Sequence, residues 1–342
     1  MQDEIAGLIA QNLKLKLGTS VPTAGGANAW AFEKLLLARH AMRREGAQDP
    51  QLAVNYYRGA IALEPENALA WAGLAEAYVL LARYSSMPAV EAMPLAREAA
   101  ERARALAPDL AEVHAAIGWV RRTGDFDLPA AEAAFRQALL LAPQNPAIVH
   151  GSALVAANLG RVSEAIELER RALALDPLNP FMHAEFSLFL YMAGDTVAAE
   201  REMKVALKTG DGAGFWWHLV FFLIEQGKLD EAARAAALEP LEMERLTATA
   251  LVQLAQGNRA EAERTKDRLI SGFADRGGVV IATLYARMGD LDRGFYWLER
   301  AFAQHETNCV WLNANRYFQE FQGDARWPGI LRKLGLADDQ LK

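Results

Sequence analysis

The chain has a single cysteine, Cys309, in 342 residues. That excludes an internal disulfide framework and leaves a reduced, cytoplasmic setting as the expectation. An excess of positive charge is also missing: 36 lysines and arginines are interspersed among 43 aspartates and glutamates, for a net charge of −7. Without a basic stripe to displace counterions from phosphates, nucleic acid is not an expected partner. Long apolar runs are absent too. The most apolar stretch, Phe215 to Ile224, is broken by His218 and falls well short of the ~20 residues that a membrane helix needs. No membrane span is expected, and the stretch reads as a buried helix. The chain opens with Asp3 and Glu4 where a secretory signal needs positive charge. With 52% hydrophobic and 23% charged residues, it is nonetheless a folding sequence and not a disordered one.

Groups that carry chemistry are as scarce. His114, His150, His183 and His218 fall near the starts of successive repeats but in different slots. Packed helices stand about 10 Å apart, so one ion cannot gather three of them. Gly210-Asp211-Gly212-Ala213-Gly214 has the look of a phosphate loop, yet no strand precedes it, and a joint between two repeats is the better reading. Cys309 lies near His305 with no third group to orient a base, and Asp230-Glu231 reads as the acidic start of a helix. No catalytic residue, metal site or cofactor is expected, and the chain is not read as an enzyme.

What the chain does have is an alanine on a fixed beat. Ala53, Ala96, Ala131, Ala165, Ala199, Ala232 and Ala262, then Gly294, are separated by 43, 35, 34, 34, 33, 30 and 32 residues. A period near 34 built from two helical segments predicts an all-α solenoid. Two helices of a tight hairpin come closest where both carry small side chains: Ala75, Gly118, Ala153 and Ser187 on one wall, the beat alanines on the other. A bulky residue there costs ~1–3 kcal/mol. Ala60, Ala103, Ala138, Ala172 and Ala206 should face the next hairpin, while Trp71, Tyr78, Phe135 and Phe186 fill the space between. Gly160, Gly194, Gly227, Gly257 and Gly289 suit turns of positive φ, and Pro65, Pro108, Pro143 and Pro177 stop second helices. About eight hairpins are counted over residues 31–304. The second carries nine extra residues around Ser85 to Pro94, read as a loop, and the sixth has a short second helix ending at Glu239-Pro240. Residues 1–17 form an amphipathic leading helix with Ile5, Leu8, Ile9 and Leu13 on one face, and 18–30 form a Gly- and Pro-containing linker. Residues 305–342, rich in Phe318, Phe321, Trp327, Ile330, Leu331 and Leu334, should cap the last hairpin as a lid.

The phrase Trp71-x2-Leu74-Ala75-x2-Tyr78, followed by Ala96, Ala103 and Pro108, resembles the tetratricopeptide repeat, which implies a right-handed superhelix. A narrower resemblance covers nearly the whole chain. Gln2 to Ala6 with Leu13 to Leu17 is similar to the last helix of a TolB-like domain in bacterial multidomain regulators. Ala68 to Tyr78, Glu91 to Pro94 and Ala96 to Ala100 are similar to that family's second repeat and its insert. Val310-Trp311-Leu312, Asp324 to Trp327 and Leu331 to Leu336 are similar to its closing segment. The resemblance implies a regulatory repeat region that follows an output module such as a nucleotide cyclase, a winged-helix domain or a Ser/Thr kinase, none of which is in this sequence. The chain would then be a piece of a longer protein. It departs from the family at Asn315-Arg316-Tyr317-Phe318, where the family carries Asp-Pro-Arg-Phe.

In such a fold the first helix of each hairpin lines the concave face. The register puts Arg39, Arg43, Glu76, Trp119, Arg122, Asn158, Tyr191, Met192, Trp217, Phe221 and Ile224 there. Aromatic and arginine side chains anchor interfaces, so a protein or peptide segment is expected along hairpins three to six. Trp217, Phe221 and Ile224 can equally pack under the insert or the lid. Ala72, Glu76, Ala115 and Trp119 stand where chaperone-tail clamps carry lysine and asparagine, which argues against an acidic C-terminal tail as ligand. The alternative is a sensory module that takes a small molecule among Trp119, Tyr191, Trp217 and Phe221.

Overall fold

The computed structural model describes residues 27–43, 49–83, 87–210, 212–313, 315–337 and 340. The leading helix expected over 1–17, and the linker as far as 26, lie outside the described residues. Among those described, sixteen α-helices pair in chain order. They are α1 (Ala27–Arg43) with α2 (Asp49–Leu63), α3 (Ala68–Arg83) with α4 (Ala89–Leu106), and α5 (Ala111–Thr123) with α6 (Leu128–Leu141). Next come α7 (Pro146–Asn158) with α8 (Val162–Leu175), α9 (Pro180–Met192) with α10 (Thr196–Thr209), and α11 (Trp216–Glu225) with α12 (Leu229–Leu238). The series ends with α13 (Glu242–Ala255) and α14 (Arg259–Phe273), then α15 (Gly278–Arg287) and α16 (Leu291–Ala303). Two 3₁₀ turns, Thr307–Trp311 and Arg316–Phe318, and a short α17 (Trp327–Lys333) follow. The hairpins stack as a right-handed all-α superhelix.

Local chemistry sets the helix ends. First helices of hairpins four and five open on Asn-Pro: the Asn145 side chain accepts from Ala147 N, and Asn179 accepts from Phe181 N and Met182 N. Second helices open on aspartate, with Asp127, Asp195 and Asp290 accepting from the backbone N–H three residues on. Between the two helices, the turn glycines Gly160, Gly194, Gly227, Gly257 and Gly289 have φ from +72° to +89°, a region that costs a non-glycine residue ~1–2 kcal/mol.

Every beat alanine is fully buried, and so are Ala60, Ala103, Ala138, Ala172 and Ala206. Ala138 clusters with Ile148 of α7 and Ala172 with Met182 of α9, so these positions do meet the next hairpin. The Phe135 ring is wedged between Gly118 and Gly151, and the Tyr57 ring lies on Gly73, where an added Cβ would collide with it. The insert in the second hairpin is a longer helix more than a loop. α4 starts at Ala89 and runs 18 residues with Pro94 inside it, while Ala92 and Met93 are buried on its inner side. Burial of that extra turn offsets the one helical bond that proline forfeits. α1 likewise begins at Ala27, inside the stretch read as linker.

The small rotation at each hairpin adds up until the third hairpin meets the end of the eighth. Phe126, in the α5–α6 turn, packs edge-on against Phe302 at 5.7 Å and stacks on His305 at 5.9 Å. Among the described residues, Phe126 and His305 are the two non-glycines of positive φ, both at +54°. The strained turns thus face each other at the point of closure, where packing of Phe126 offsets the backbone cost.

Candidate functional site

The concave face is built by α1, α3, α5, α7, α9 and α11, and it is divided in two. The C-terminal segment reaches the last hairpin. Phe321 packs edge-on against Phe295 at 5.0 Å and sits on Gly294, where a Cβ would approach the ring to 2.7 Å. This explains why the alanine beat ends on glycine. Residues 307–313 and 315–318, however, turn inward and lie along the concave wall of earlier hairpins.

Their contacts are specific. Trp311 packs on the cluster that holds Ala157 and Phe189, with the Arg122 guanidinium 5.2 Å from its ring. Asn313 Nδ2 donates to the Asn158 carbonyl at 3.2 Å. Arg316 donates to the Tyr191 carbonyl at 3.2 Å, pairs with Glu225 at 3.2 Å and lies 4.7 Å over the Tyr191 ring. Tyr317 stacks on Phe221 at 3.8 Å, beside Tyr191 and Trp217, and its hydroxyl hydrogen-bonds with His218 Nδ1 at 3.0 Å. Burial first, and then Arg83, push the His218 imidazole down to about 3, so it is neutral at physiological pH.

Most of the expected groove residues are therefore engaged by the chain itself. Tyr191 and Asn158 are wholly buried, and Phe221 and Arg122 nearly so. Arg122 Nε donates to Asn158 Oδ1 at 2.7 Å, and burial, then Arg83, bring its guanidinium down to about 9. Met192, Trp217 and Ile224 are partly buried against the same aromatic mass. Trp217 and Phe221 lie against Tyr317 of the C-terminal segment, and Ile224 packs on the same apolar cluster. The space among Tyr191, Trp217 and Phe221 that the sensory reading reserves for a small molecule holds the Tyr317 ring, because stacking there buries three aromatic faces at once.

Arg39, Glu76 and Trp119 stand apart from that filled half. They line an open cavity of about 430 Å³ in the concave wall of hairpins one to five, with Met42, Leu69, Glu112 and His150. The Arg43 side chain is outside the described residues. Burial, and next the neighbouring Glu112, raise the Glu76 carboxyl to about 8, against the pull of Arg39. Glu76 and Glu112 make no hydrogen bond or ion pair with another described residue. Of the other basic groups in the lining, Arg83 pairs with Glu185 at 2.7 Å and lies 4.2 Å over Phe181, while Arg122 is bonded to Asn158 and lies 5.7 Å from the Trp119 ring. A second cavity, of about 280 Å³, opens among Arg83, Phe181, Trp217, His218, Met243 and Arg276.

The histidines serve the scaffold one by one. His150 bonds Glu169 at 2.9 Å and His183 bonds Glu202 at 3.0 Å, each tying a first helix to its second. Among the described residues no three His, Cys, Asp or Glu side chains gather as a metal site would require. Cys309 is buried, and burial raises its thiol, which disfavours the thiolate. No described helix is long and apolar enough to cross a membrane.

Sequence reasoning missed Arg83, Glu112, Glu185, Arg316 and Tyr317. The signal for the last two was present: Asn315-Arg316-Tyr317-Phe318 departs from the resembled family just where the segment turns into the groove.

No family model matches the sequence, and no curated protein matches it. Solved structures do. The human IFIT1 dimer with m7Gppp-AAAA is similar over 85% of this chain and 75% of its own, at 16% identity and a TM-score of 0.60. The type IV pilus biogenesis factor PilW matches over 70% of this chain and 92% of its own, at 21% identity and a TM-score of 0.41. TTC0263, a thermophilic TPR protein of Thermus thermophilus, matches over 52% of this chain and 91% of its own, at 17% identity and a TM-score of 0.42. The fold is that of the tetratricopeptide repeats. At these identities the likeness concerns architecture alone.

Proposed function

We propose that this chain is a non-catalytic scaffold that holds a protein or peptide segment in the open half of its concave face. One observation carries the reading: the same wall already binds a non-repeat stretch of the chain, residues 307–313 and 315–318, through arginine, aromatic and backbone contacts. The adjoining 430 Å³ of the wall offers like chemistry in Arg39, Glu76 and the partly exposed Trp119. Aromatic and arginine anchors of this kind supply most of the energy in interfaces. The regulatory setting, an output module upstream in a cytoplasmic bacterial signalling protein, rests on the sequence resemblance.

The IFIT1 structure holds a capped oligonucleotide. In this chain acidic residues outnumber basic ones and no basic stripe runs along the groove to take phosphates, so a peptide is the better occupant. A small-molecule role draws support from the separate 280 Å³ cavity beside Trp217 and His218. A thermal-shift screen with metabolites reports on it, because a ligand stabilises by mass action without any protein partner.

The direct test is selection of a phage-displayed random dodecapeptide library on the full chain. Recovered peptides should bind at least tenfold more weakly to Trp119→Ala, or to Leu69→Ser if the first variant does not fold. They should bind unchanged to Leu140→Ser, outside the groove. Equal binding to all three would overturn the reading.

A further inference from the structure

From α3 to α15, every first helix packs against the second helix that precedes it in the chain, as well as against its own partner. Among the described residues, α1 packs against α2 and α3, both of which follow it. The side of α1 that faces away from them is apolar. Ala38 is fully buried, like its counterpart Ala75 in α3. A leucine precedes each of the two alanines. Leu74 is 4% exposed, on a helix against which α2 packs, whereas Leu37 is 37% exposed. Trp30, two turns earlier on the same side of α1, is 64% exposed. The end hairpin of a solenoid needs a polar outer face. α1 instead has the make-up of an interior first helix, one that expects a cover from upstream.

The sequence just upstream has the form of that cover. In a helix over residues 1–17, Ile5, Leu8, Ile9 and Leu13 share one side, with Asp3, Gln11 and Lys14 opposite. Such a helix matches the 17 residues of α1. Residues 18–26 then span up to ~30 Å when extended, ample for a reversal of direction, and Pro22 and Gly25-Gly26 suit a turn. Throughout the array the helix that covers a first helix is the one next upstream, and for α1 the same rule selects this stretch.

We propose that residues 1–17 are the second helix that precedes the first hairpin, antiparallel to α1, with Leu13 toward Trp30 and Ile5 and Ile9 toward Leu37. The stretch then belongs to the repeat array, and any module upstream of it is anchored on the first hairpin. The inference concerns this end of the array and is independent of what the open half of the groove binds.

Native-state hydrogen exchange on the full chain tests it. A lone helix of this length is marginal in water, so protection of its amides requires a surface to pack on. Peptides within residues 1–17 should exchange at least tenfold more slowly than an unstructured chain, equally at about 1 μM and about 50 μM protein. Trp30→Ser/Leu37→Ser should remove that protection, and Ile5→Ser/Ile9→Ser should speed exchange in α1 at least tenfold. Trp30 and Leu37 are on the surface of the described fold, so the first variant still folds, and unchanged exchange in α10 checks this for both. An unprotected 1–17, or protection that survives Trp30→Ser/Leu37→Ser, overturns the proposal. Protection present only at the higher concentration also overturns it, because a second copy of the chain would then be the cover.

Discussion

Removing the Tyr317 ring should open the C-terminal segment. Tyr317 is buried with its ring 3.8 Å from Phe221 and in contact with Tyr191, Trp217 and His218. Deleting a buried aromatic side chain to alanine costs about 3–5 kcal/mol. Tyr317→Phe keeps the stack and loses only the hydrogen bond to His218, about 1 kcal/mol. Hairpins of a solenoid are coupled mainly to their neighbours, so the readout must be local. Native-state hydrogen exchange by mass spectrometry, over peptides spanning 305–337 and α11, provides it. At 1.4 kcal/mol per tenfold, Tyr317→Ala should speed exchange in the segment by about two to three powers of ten, and Tyr317→Phe by about tenfold or less. Amides of α2, in the first hairpin, should change far less. If Tyr317→Ala exchanges like the wild type in 305–337, the segment is not seated in the groove, and the division of the concave face argued above is wrong.

Glu76 is faced by Glu112, Arg39 and Tyr57, and its carboxyl stands at about 8 in the folded chain against an ordinary value near 4.3. Between these values the folded state binds more protons than the unfolded one, so its stability falls as pH rises; Glu76→Gln should be more stable, by a margin that grows about 1–2 kcal/mol from pH 6 to pH 8 in urea melts. A constant margin would mean that Glu76 titrates normally. Gly151→Ala improves helix propensity yet drives a methyl into the Phe135 ring, and should lower stability by about 1–3 kcal/mol; a gain in melting temperature would show that the ring can move aside. Glu306 accepts from Gly278 N at 2.7 Å and Val279 N at 3.1 Å, capping α15. Glu306→Ala should cost about 1–2 kcal/mol and raise exchange in the first turn of that helix, whereas an unchanged first turn would show that the cap contributes nothing.

The alanine beat, the turn glycines and the stopping prolines made the helical hairpins and their stacking legible before any coordinates, because each obeys a contact between neighbours in the chain. Ala165 must be small whatever happens several hairpins away, and Gly194 needs its positive φ for the same local reason. Where the superhelix ends up is a different matter. A small rotation at every hairpin, summed over the stack, brings Phe126 against His305 and carries Arg316 to Tyr191, 125 residues earlier in sequence. No period in the sequence encodes that sum. It follows that one set of concave positions became two surfaces: Tyr191 and Phe221 buried by the chain's own end, Glu76 and Trp119 left facing open space.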